Sequence, residues 1–196
     1  MLRRSLSLLA VVLVGVLGTG CAEDVSPAVR VDGVKISDGD LMDEVGEWAN
    51  NPSAYPAEQL AAHNPGTYPI ELVTAILGQR IDLELHHEEF VSRGLELTDD
   101  LRTQAISLLF QGDLETAQDA LGGFSNDYRE RYVDAISEQL AVEDALGADY
   151  ETWRTRGYRE ADIEVSPRYG SWDGANGQVI PPEGPAQPIG NVDLGV

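Results

Sequence analysis

The chain has 196 residues, 13 basic and 34 acidic side chains, a net charge of −21 and a single cysteine. That length suits one domain with tails, and the lone thiol rules out an intramolecular disulfide. A surface this acidic repels nucleic-acid phosphates, so no nucleic-acid partner is expected, and its plainest use is solubility.

The N-terminus reads MLRRSLSLLAVVLVGVLGTGC. Arg3 and Arg4 form a positive start, and Leu8 to Leu17 form an apolar run of signal-peptide length, too short to span a bilayer stably. Gly18, Thr19 and Gly20 are small residues ahead of Cys21. This arrangement resembles a bacterial lipoprotein signal, in which the cysteine is diacylated and becomes the new N-terminus, although Gly18 stands where Leu is commonest. An ordinary secretory signal with an incidental cysteine is the alternative. The expectation is therefore a signal peptide over 1–20, lipidation at Cys21, a polar tether over 21–27 and a place on the extracytoplasmic face of the cell membrane. Removing residues 1–20 leaves 11 basic against 34 acidic groups, a charge of −23. Each buried CH₂ of the anchor contributes about 0.8 kcal/mol, so two or more acyl chains hold durably.

Ala28 to Ser37, AVRVDGVKIS, sets the frame for the rest. Val29, Val31, Val34 and Ile36 are β-branched, and Asp32-Gly33 is a two-residue hairpin signal. Ser37 then caps a helix whose first turn carries Asp38 and Asp40, the charge that suits a positive helix end. Such a ribbon is marginal alone and needs a third strand. The best candidate is Asp162 to Tyr169, DIEVSPRY, in which Ile163 and Val165 alternate with polar neighbours.

Helix patterns fill the interval. Leu41, Val45 and Trp48 share one face of Asp38 to Asn50, which Asn51-Pro52 ends. Prolines keep 51–69 mostly irregular, with one or two turns over Ala57 to His63. Ile70 to Arg93 is the strongest helix, with Ile70, Val73, Ile76, Leu77, Ile81, Leu83 and Phe90 on a wide apolar face that belongs in the core; Gly94 closes it. Thr98 caps a helix that carries Leu101, Ala105, Leu108 and Leu109, weakens near Gly112 and extends toward Leu121. Ser125 caps another to about Leu146, with Tyr128, Tyr132 and Ile136 on one side. A short helix follows from Asp149 to Gly157. Residues 173–196 are Gly/Pro-rich and nearly uncharged, and read as disordered.

The chemical motifs are few. Glu84 and His87 have the i, i+3 spacing of a metal-binding helix pair, but no second Glu-x-x-His exists. The run Glu84 to Glu89 therefore reads as a solvated polar face, with no metal and no cofactor. The acidic residues from Asp32 to Glu44 lack the order of a calcium loop. No GxSxG, CxxC or phosphate-cradling loop is present, so no catalytic residue is assigned.

VRVDGVKIS entering a helix, several helices, and a returning DIEVSPRYGSWD together resemble the N-terminal chaperone module of the SurA/PrsA-type foldases, in the form found in actinobacterial lipoproteins. The resemblance covers about residues 28–172. It implies a mainly α fold: a helical cradle with a small antiparallel sheet made by the N-terminal hairpin and a C-terminal strand. It also implies a holdase for unfolded, exported polypeptides, with the membrane reached through Cys21. Foldases of this type often carry a parvulin domain; no segment here is long enough for one, so prolyl-isomerase activity is not carried over. Client contacts are expected at Trp48, Tyr55, Tyr68, Tyr128, Tyr132 and Trp153. The alternative is a structural or scaffold lipoprotein that binds one dedicated cell-envelope partner.

Overall fold

A computed structural model of the chain describes residues 27–53, 67–109, 119–183 and 189–190. Cys21, the tether up to residue 26, Tyr55, the turns expected within 57–63 and the region of Gly112 lie outside them.

Asp32 and Gly33 both take positive φ, 46° and 89°, the conformation that a right-twisted two-residue hairpin demands. The turn joins β1 (Val29–Val31) to β2 (Val34–Ile36), with Val29 opposite Ile36 and Val31 opposite Val34. The other edge of β1 pairs antiparallel with β4 (Ile163–Val165), Val29 opposite Val165 and Val31 opposite Ile163. The strand order is β2-β1-β4. Arg30 faces Glu164 across this pairing at 3.8 Å. Asp32 locks the corner further: its amide donates to the Asp162 carbonyl (3.0 Å) and its carboxylate accepts from the Asp162 amide (2.8 Å). The expected third strand is thus in place, and the protein is mainly helical with a small antiparallel sheet closed by its two ends.

Ser37 caps α1 (Asp38–Ala49) by accepting from the Asp40 amide at 3.1 Å. Asp38, beside that cap, takes hydrogen bonds from the Tyr169 hydroxyl (2.6 Å) and the Arg168 guanidinium (2.5 Å). The SPRY segment that follows β4 is therefore fastened to the start of α1. After β3 (Thr67–Tyr68) comes α2 (Ile70–Ser92), on which all seven apolar residues singled out by periodicity are buried. Next are α3 (Asp99–Leu109), a helical stretch ending at residue 122, and α4 (Asn126–Leu146), whose cap Ser125 accepts from the Tyr128 amide. Gly147 ends α4 at φ 53°, and a single 3₁₀ turn leads into α5 (Tyr150–Glu160).

Two expectations need correction. The last helix does not stop at Gly157 but runs three residues further, to Glu160. A mid-helix glycine costs about 1 kcal/mol, and here the next residue, Tyr158, is anchored to Asp82 of α2 and to the Trp172 ring. The Gly/Pro-rich tail is also more than a disordered appendage. Residues beyond 173 complete a hairpin of β5 (Ser171–Asp173) and β6 (Gln178–Ile180), and β7 (Ile189–Gly190) pairs with β3. Val179 of β6 is buried in the core against α2, while Gln178 and Ile180 face out. Gly170 makes room for this strand, because a Cβ there would sit 1.8 Å from the Ile180 carbonyl oxygen. Composition averaged over the tail hides one inward-facing valine.

Three apolar clusters result. The sheet face, α1, α2 and Tyr169 form the first. Leu83, Leu121, Phe124, Tyr128, Tyr132 and Val133 form the second, and Phe90, Ala141, Val142 and Tyr150 the third.

Candidate functional site

The resemblance implies a cradle, an arch of helices between β1 and β4 with a holding surface on its inner side; the second apolar cluster is instead filled by the chain's own rings. Trp48 from α1 meets Phe124 edge-on at 5.3 Å and Tyr132 at 5.7 Å, while Tyr128 and Tyr132 stack with 10° between their planes. Their polar atoms are satisfied internally. The Trp48 indole donates to the Tyr128 hydroxyl (2.7 Å), which donates to Glu44 (3.0 Å), and Gln79 donates to the Tyr132 hydroxyl (2.8 Å). Burial raises the Glu44 carboxyl above its ordinary range, with Arg80 and the Tyr128 hydrogen bond opposing. Burial also raises the Tyr128 phenol, helped by the neighbouring Glu44 charge.

Tyr128 and Tyr132 are each only 5% exposed. They are core residues rather than an exposed client surface, and Trp48 is half-buried among them. The helical spacing of Tyr128 and Tyr132 marks the inward stripe of α4. Trp153 lies apart, stacked on Tyr150 and packed on the third cluster. Tyr68 lies elsewhere again, against the first.

Two surface features border this interior, and a third, buried one lies by the third cluster. Asp40, Asp43, Glu44 and Glu47 of α1 face Arg80 and Arg131 across a cavity of about 300 Å³. Glu47 is already engaged, accepting from the Ser125 amide at 2.8 Å. Between α3 and α4 runs an apolar groove of about 400 Å³ floored by Ile106, Leu121 and Val133. Its edge carries the ion pair of Arg102 with Asp134 at 2.7 Å. Leu108, also on α3 but not lining the groove, is 61% exposed.

The third feature was not anticipated. The run Glu84 to Glu89 reads as solvated, yet His86 within it is fully buried. Its Nδ1 lies 2.6 Å from the Asp82 carbonyl oxygen and its Nε2 2.9 Å from the Tyr150 hydroxyl. Asp82 in turn bonds the Tyr158 hydroxyl, to which Arg154 donates at 2.6 Å. The i, i+4 spacings of Asp82 with His86 and of Arg154 with Tyr158 were the available signal. Neither reveals that the two helices face each other. His87, by contrast, points outward to Glu138 at 2.8 Å. Among the described residues no group of three or more His, Cys, Asp or Glu side chains is placed to hold a metal ion, and no helix is long and apolar enough to cross a membrane. Comparison of the chain with protein-family models, curated proteins and solved structures finds no match.

Proposed function

We propose that the chain is a secreted, lipid-anchored, non-catalytic holdase for exported polypeptides, working at the outer face of the cell membrane. One observation carries this reading. β1 pairs on one side with its hairpin partner and on the other with the strand that ends the helical region, the closure that the resemblance to the SurA/PrsA-type module implies. Anchorage at Cys21 belongs to the same proposal.

The filled arch narrows where clients bind. Aromatic rings committed to internal hydrogen bonds are not free to meet a client. Among the described residues, apolar surface that stays open includes Leu108 on α3 and the groove between α3 and α4 that Ile106 lines. Contacts there are shallow, which suits release without ATP. The same filled interior favours the second reading, a scaffold lipoprotein for one envelope partner, because a rigid core adapts poorly to many clients.

Suppression of aggregation of several unrelated denatured proteins separates the two. A holdase suppresses it at near-equimolar ratio and loses much of the effect on Leu108→Asp, an exposed change that leaves the core intact. No suppression, together with capture of one envelope protein, supports the scaffold. Catalysed isomerisation of a proline peptide would overturn the non-catalytic reading. Cys21→Ser releases the protein from membranes if the cysteine carries the anchor; unchanged attachment refutes lipidation.

A further inference from the structure

His86 sits where α2, α4 and α5 meet, and its partners fix the tautomer of the neutral ring. The Asp82 carbonyl oxygen only accepts, so Nδ1 carries the hydrogen. Nε2 then presents its lone pair, and the Tyr150 hydroxyl donates to it. Gln139 of α4 approaches the same hydroxyl at 3.5 Å, and the Trp153 ring stands edge-on to the imidazole at 5.0 Å. A second proton has only Nε2 to go to; Nε2 then donates to the Tyr150 oxygen, and the Tyr150 hydroxyl, already approached by the Gln139 amide donor, must turn its own hydrogen away from the ring.

Charged groups surround the ring from each element. The Asp82 carboxylate of α2, 3.6 Å from Nδ1, and Glu143 of α4 favour the imidazolium, while Arg154 of α5 opposes it. A cleft of about 310 Å³ opens beside the joint, rimmed by Asp32, Glu88, Glu89 and Glu160. Burial outweighs these charges and lowers the pKa of His86 below its ordinary 6.5.

We propose that this joint is an acid-release latch: a proton taken by Nε2 of His86 charges a fully buried ring and reverses the Tyr150 hydrogen bond, which strands the hydroxyl hydrogen, loosens α5 from α2, and so frees β4 from β1. The mechanical link is short, since α5 ends at Glu160 and β4 begins at Ile163. Opening uncovers Trp153, Tyr150 and Phe90 of the third cluster, apolar surface that is closed at neutral pH. The latch holds fully above the ordinary imidazole value and weakens as pH falls below it, because the opened joint binds the proton more readily than the closed one. A free imidazole of pKa 6.5 favours its protonated form about thirtyfold at pH 5.0, which caps the effect.

Hydrogen exchange of the full chain at pH 7.5 and 5.0, corrected for intrinsic rates, tests this. Amides of α5 and β4 are expected to lose protection by several-fold and at most about thirtyfold, while those in the middle of α2 keep theirs. His86→Gln cannot titrate and is expected to show no such difference. Equal protection of α5 at both pH values in the native chain, or the same loss in the Gln variant, overturns the latch. If the Gln variant does not fold, Tyr150→Phe decides. Lower protection at pH 7.5 with a shallower fall to pH 5.0 supports the latch, and a fall as steep as the native chain's overturns it.

Discussion

Gly123→Ala tests the joint between the end of α1 and the turn that leads into α4. A Cβ on Gly123 would lie 2.4 Å from Oδ1 of Asn51 and 2.5 Å from its Cγ. Asn51 is fully buried, and its amide donates to the Ala120 carbonyl oxygen at 2.6 Å while its Oδ1 accepts from the Ser53 amide at 3.2 Å. The added methyl cannot be accommodated without moving that side chain. Overpacking costs about 1–3 kcal/mol, and stranding the buried amide and carbonyl costs about 1–3 kcal/mol more. The expected loss is about 2–6 kcal/mol, a large share of a stability of about 5–15 kcal/mol. Gly123 is not among the positive-φ glycines, so no backbone strain enters. Urea unfolding reads the loss, and an Asn51→Ala background isolates its cause. With the side chain gone the new methyl has room, and the second substitution costs within about 0.5 kcal/mol. A near-neutral Gly123→Ala alone, or full additivity in the pair, would refute the contact.

Glu44→Gln is expected to raise stability at pH 7. The native carboxyl has its pKa raised by burial, so the fold prefers it neutral, and stability falls as pH rises from the ordinary 4.5 through the raised value. The Gln variant loses that part of the slope in denaturation midpoints taken from pH 4.5 to 7; an unchanged slope refutes the assignment. Val179→Ala is expected to cost about 1.5–3 kcal/mol by lost burial and a residual cavity. Ile180→Ala, on the exposed side of the same strand, is expected to stay within about 0.5 kcal/mol. Equal small effects in chemical denaturation would mean that the tail does not pack.

The frame of the fold was legible because its signals are local. Asp32-Gly33 dictates a hairpin, Ser37 a cap, and alternation in Ile163 to Val165 a one-sided strand. The seven apolar positions of α2 follow from period alone. What was illegible depends on partners distant in sequence. Whether Tyr128 faces solvent or Glu44 is decided 84 residues away. The burial of His86 is decided by Tyr150, 64 residues away, and its charged neighbours made the segment look wet. β6 buries one side chain in three, too few to offset proline and glycine in any windowed average.

The same β1 strand also dictates when folding can finish. Its second partner lies about 130 residues downstream, so a chain emerging N-terminus first, from a ribosome or a membrane pore, presents a half-satisfied strand edge until almost all of it has arrived. Loop closure over that distance is slow, and an open edge invites pairing with other strands. During that wait the free edge of β1 stays open to strands of neighbouring chains.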